Sequence, residues 1–70
     1  MEEVELLVEV VRKGSQRVKV RKGARVEDIV KLLGLNTEEY VAVLDGRVVP
    51  DDELVEEPSK LKLIPVVSGG

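Results

Sequence analysis

Side chains that ordinarily do chemistry are scarce in this sequence. There is no cysteine and no histidine. That removes the thiol nucleophile, the soft metal ligand and the commonest general base. Carboxylates are plentiful, and Asp51-Asp52-Glu53 and Glu56-Glu57 cluster. Nothing basic or soft accompanies them, so they read as a solvated acidic loop, with a salt-sensitive contact to a basic partner surface as the second reading. Lys13-Gly14-Ser15 lacks the glycine spacing and the strand-to-helix setting of a phosphate loop. No catalytic residue and no metal site is assigned. What remains is the end of the chain. Ser68-Gly69-Gly70 follows a valine-rich run, and two glycines make a slender backbone lead, without Cβ atoms, that fits where a bulkier terminus would not.

The elements that would carry this tail can be read from periodicity. Residues 3–11 form a strand with Val4, Leu6, Val8 and Val10 on one face and Glu3, Glu5 and Glu9 on the other; Leu7 and Val11 set apolar groups among the glutamates. Arg12-Lys13-Gly14-Ser15 is a turn, and 16–21 alternates Val18 and Val20 against Arg17, Lys19 and Arg21, which suggests an antiparallel hairpin. Val26, Ile29, Val30 and Leu33 recur with the spacing of a short amphipathic helix. Glu27 and Asp28 sit in its first turn, and Gly34 stops it. Arg25, near the N-cap, is not a capping residue type, so the helix start is weakly specified. Residues 40–44 form a strand, Asp45-Gly46 a tight turn, and 47–49 a short returning strand ended by Pro50. The sequence predicts an acidic connection over 51–57, a last strand over 60–67, and a flexible tail over 68–70.

The chain of 70 residues is one small domain, assigned to 1–67, and its only aromatic residue is Tyr40, read as a half-buried core residue. A net charge of −3 with no aromatic platform for bases argues against nucleic acid. No apolar run approaches the ~20 residues that cross a bilayer, and Met1-Glu2-Glu3 does not open a signal peptide. A soluble, cytoplasmic protein without a cofactor is the expectation. Pattern alone gives α+β with one helix on one sheet face.

Two stretches carry a family resemblance. Val41-Ala42-Val43-Leu44-Asp45-Gly46-Arg47-Val48-Val49-Pro50 resembles a strand, turn and short strand of the ThiS/MoaD family, the sulfur carriers of thiamine and molybdopterin synthesis within the ubiquitin-like β-grasp superfamily. Leu61-Lys62-Leu63-Ile64-Pro65-Val66-Val67-Ser68-Gly69-Gly70 resembles their last strand and tail, and the helix sits where theirs does. Val48-Val49-Pro50 is closer to ThiS, and residues 65–70 are closer to MoaD. Arg25 departs from the Thr or Ser often found at the helix start. The resemblance implies a β-grasp fold, a mixed five-stranded sheet wrapping one α-helix, with the first and last strands parallel at its centre.

It also implies a role for the tail. A carboxylate is a poor electrophile, and adenylation by ATP would give it a leaving group. Attack by sulfur on the acyl-adenylate would leave a thiocarboxylate on Gly70; attack by a lysine amine would leave an amide. Gly69 and Ser68 would present the terminus. The implied partners are an ATP-dependent adenylating enzyme, a sulfur donor, and a sulfur-accepting synthase or a target protein. The destination would be thiamine, molybdopterin or tRNA thiolation, or else a target lysine. A non-covalent interaction module on the same scaffold is the third reading.

The last strand adds a hint of its own. Leu61 and Leu63 would face the helix, while the outward positions Lys60, Lys62, Ile64 and Val66 change from cationic to apolar toward the tail. Contiguous exposed apolar surface marks interaction sites, so Ile64 and Val66, together with Leu7, form the candidate docking patch.

Overall fold

The structure is a computed structural model that describes residues 2–67. Strand β1 (Glu3–Val10) turns into the antiparallel β2 (Gly14–Arg21) with Glu3 opposite Arg21 and Val10 opposite Gly14. A two-residue strand β3 (Ala24–Arg25) leads directly into α1 (Val26–Leu32). A 3-10 turn (Thr37–Glu39) precedes β4 (Tyr40–Leu44), which is followed by β5 (Arg47–Val49), β6 (Leu54–Val55) and β7 (Ser59–Pro65). The main sheet runs β2-β1-β7-β4-β5 and is mixed: β7 is parallel to β1 and antiparallel to β4. This is the expected five-stranded order with the first and last strands together at the centre.

The period-2 pattern explains the core. Val4, Leu6, Val8 and Val10 of β1, Leu61 and Leu63 of β7, and Ala42 and Leu44 of β4 are buried on one sheet face, against Val26, Ile29 and Val30 of the helix. Tyr40 is half-buried and packs on this cluster, as read from the sequence. The helix ends where Gly34 was expected to end it. Gly34 N–H donates to Lys31 O (2.9 Å) and Leu35 N–H to Val30 O (3.1 Å), the paired bonds of a left-handed glycine stop, with Gly34 at φ 77°.

The helix start is better specified than its sequence suggests. Asp28 accepts a hydrogen bond from Arg25 N–H (3.3 Å), which is half of a capping box. The guanidinium of Arg25 has no acceptor lone pair and cannot supply the other half. Two backbone carbonyls from a distant segment instead satisfy the first two N–H groups of the helix. Val26 N–H donates to Glu53 O (3.0 Å) and Glu27 N–H to Asp51 O (2.9 Å). The 51–57 connection is therefore more than a solvated loop. Its Leu54–Val55 pairs antiparallel with Ala24–Arg25, and Val55 is fully buried. Periodicity cannot reveal a two-residue strand, which is too short to show an alternation.

The Asp45-Gly46 turn has both central residues at positive φ (49° and 85°), the signature of a type I′ hairpin turn. It also fastens the last strand: Asp45 N–H donates to Lys60 O (2.9 Å), and the Asp45 carboxylate accepts from Lys60 N–H (3.0 Å).

Two stability measurements check this account. Leu63→Ala, at the middle of the sheet, should cost about 2–5 kcal/mol, enough to unfold much of so small a domain in a urea titration. Asp45→Ala should cost about 1–2 kcal/mol, since it removes the bond to Lys60 N–H and a residue tolerant of positive φ; Asp45→Asn should recover most of that.

Candidate functional site

β7 carries the chain from the centre of the sheet toward the C-terminus. After Pro65, one further bond holds the backbone: Val66 N–H donates to Glu39 O (2.9 Å) at the end of the 3-10 turn. That turn is fixed by Asn36, whose side-chain oxygen accepts from Glu38 N–H (3.0 Å), and by Glu39 N–H donating to Asn36 O (3.0 Å). Val67 makes no backbone hydrogen bond among the described residues, and its side chain is 94% exposed. The fold therefore lets go of the chain between Val66 and Val67. Ser68, Gly69 and Gly70, assigned to presentation and activation, lie outside the described residues.

Of the candidate patch, Ile64 (37% exposed) and Val66 (43%) project on the sheet face away from the helix, as their parity requires. Ile64 lies directly opposite Val41 of β4. On its other side runs the end of β1, where Val11 N–H donates to Leu63 O (3.0 Å), which sets Val11 alongside Ile64. Val43, opposite both Lys62 and Val48, extends the apolar region toward the β5 edge. Ile64 is thus flanked by Val11 and Val41, with Val43 and Val48 in the next row and Val66 beyond.

Leu7 occupies the same face but not this patch. The register sets it opposite Arg17 and Lys60. Lys60 is four residues before Ile64, about 13 Å along the strand. Between them lie Lys62 and Glu9, and Glu9 Oε1 is 3.8 Å from Lys60 Nζ. Shared parity places two residues on one face, but only the strand register says whether they touch. Sequence reading passed over Val41 and Val43 because β4 is apolar on both faces, so alternation there carries no sign of which face meets water.

The sheet holds the backbone as far as Val66 and carries an apolar area around Ile64 beside that point. The mixed sheet wrapping one helix, with the last strand at its centre, is the ubiquitin-like β-grasp fold. The family model for small archaeal modifier protein 2 matches residues 4–67, and the chain belongs to that family. It is similar to small archaeal modifier protein 2 of Haloferax volcanii, with 33% identity over 63 residues, covering 90% of this chain and 94% of the relative. Among solved structures, a molybdopterin converting factor subunit 1 from Pyrococcus furiosus superposes with a TM-score of 0.74 at 16% identity, over 91% of this chain and 99% of that one. A ubiquitin from Caldiarchaeum subterraneum superposes at 0.71 with 19% identity, over 99% and 100%.

The point of release is measurable. In amide hydrogen exchange, Val66 should be protected and Val67 should exchange at close to the rate of an unstructured peptide. Equal protection of the two would place the end of the fold elsewhere.

Proposed function

We propose that this chain is a carrier that works through the carboxylate of Gly70. The carboxylate attacks the α-phosphorus of ATP on a separate adenylating enzyme, and pyrophosphate leaves. Hydrosulfide released by a donor then attacks the acyl carbon, AMP leaves, and Gly70 carries a thiocarboxylate. That sulfur passes to an accepting synthase of a thiamine, molybdopterin or tRNA-thiolation pathway. The observation that supports this most is the family match over 4–67 combined with a body that releases its chain at Val67, next to the tail. The carrier needs no catalytic side chain, since activation belongs to its partner, and the reaction belongs in the cytoplasm where ATP is available.

A second reading has its own support, because the curated relative at 33% identity is by name a modifier. In that reading the same acyl-adenylate leads to an amide between Gly70 and a lysine of a target protein. The two readings share the activation step and differ only in the final nucleophile.

The apolar area around Ile64, with Val66, Val41 and Val11, is the proposed seat of the adenylating enzyme. It adjoins the exit of the chain, so a partner that covers it stands next to the tail.

Incubation with ATP and the matching adenylating enzyme, followed by intact-mass measurement, should show sulfur replacing oxygen at the terminus when a sulfur donor is present. Peptides bearing Gly-Gly on target lysines would indicate the modifier reading. Deleting Gly70 should abolish both products without changing the unfolding midpoint; continued adenylation of the truncated chain would refute the assignment. Ile64→Asp with Val66→Asp should raise the activating enzyme's KM for the carrier by about tenfold or more, roughly 1.4 kcal/mol of binding. An unchanged KM would locate the docking surface elsewhere.

A further inference from the structure

The opposite side of the molecule has a feature that tail chemistry does not use. β2 is an edge strand of eight residues whose ladder partner among the described residues is β1 alone. It contains no proline and no bulge, so alternate N–H and C=O groups along its outer side are unpaired, a template for one more strand. Its outward side chains Arg17, Lys19 and Arg21 are exposed cations in a chain of net charge −3. Among the described residues the ion pairs are Lys22–Glu2 (3.6 Å) and Lys60–Glu9 (3.8 Å), and neither involves these three. Beside the strand an open groove of about 580 Å³ runs between β2 and α1, with Val20, Ala24, Ile29 and Leu32 in its lining. Leu32 is 67% exposed there, a large apolar side chain on the rim.

A strand added to this edge would have alternate side chains on the two faces. Those on the inner face would lie over Val18, Val20 and Leu32 and are best apolar. Those on the outer face would stand beside Arg17, Lys19 and Arg21 and are best acidic. The molecule already contains one strand of that pattern. β1 places Glu3 opposite Arg21 and Glu5 opposite Lys19 while Val4 and Leu6 go to the core. From this pairing we infer that β2 accepts an extended segment of a partner protein, of alternating apolar and acidic residues, by strand addition on the side away from β1. A second copy of this chain is a poor occupant, because an edge-to-edge pairing of two β2 strands brings like charges together. Of the acids on the groove, Glu2 lies near Lys22 and Asp28 holds Arg25 N–H, while Glu3 stands opposite Arg21 in the ladder without an ion pair to it among the described residues.

The site does not involve Gly70 or Ile64, so it stands or falls independently of the proposed carrier chemistry. The test uses the full 70-residue chain and two synthetic peptides of about eight residues, one alternating Val and Glu, the other Val and Lys. Titration followed by NMR should give saturable shifts at residues 14–21 and at Ile29 and Leu32 with the glutamate peptide, bound about tenfold or more tighter than the lysine peptide. Arg17→Glu with Lys19→Glu, both at exposed positions, should reverse that preference. Binding without charge preference, shifts confined to β4, β5 and β7, no saturable shift with the glutamate peptide, or peptide-independent association through β2 would each overturn the inference.

Discussion

The parallel pairing of β1 with β7 is the constraint on which the rest depends. It joins the two ends of the sequence at the middle of the sheet, with Leu6 opposite Ser59 and Val10 opposite Leu63. Every neighbouring element is defined relative to this seam. β2 can lie only outside β1, and β4 only outside β7. A central parallel pair has no hairpin to join it and must be bridged by a long crossover. Here the crossover includes the helix that covers the buried face. Fully buried Leu6, Val8, Leu61 and Leu63 make the seam the driest part of the molecule. A terminal strand is ordinarily the first part of a fold to fray; in this one it is held on both sides.

Much of this could be read in the sequence. Alternation in β1 and β2, the 3.6-residue stripe of α1, Gly34 and Asp45-Gly46 each state a local preference that the fold satisfies. The parts that were not legible are those where the relevant partner is far away in the chain. Val55 is buried because Ala24 pairs with it, and the helix is capped by carbonyls some 25 positions downstream of its start. Neither fact leaves a trace in local composition. The apolar area around Ile64 shows the same limit. Ile64 and Val66 could be identified by parity, but their neighbours Val41 and Val43 come from β4 and Val11 from the turn after β1, and Leu7 drops out only when the β1–β7 register is known.

The centre of the sheet and its β2 edge differ in what they offer. On the β7–β4 side the surface is aliphatic and adjoins the exit of the chain. On the β2 side it is cationic, with open backbone groups and a groove behind it. A domain of this size has little surface to spare, and here the two areas occupy different strands of one sheet, β7 and β4 for the first and the β2 edge for the second.

The segment that closes the helix start contributes oxygen atoms of its main chain, from Asp51 and Glu53, and nothing from their carboxylates. Main-chain oxygens are present whatever residue stands there. These hydrogen bonds are therefore independent of side-chain charge: relatives could carry acidic, neutral or basic side chains at these positions and keep the same main-chain contacts. Divergence in this stretch would record changing company rather than changing shape.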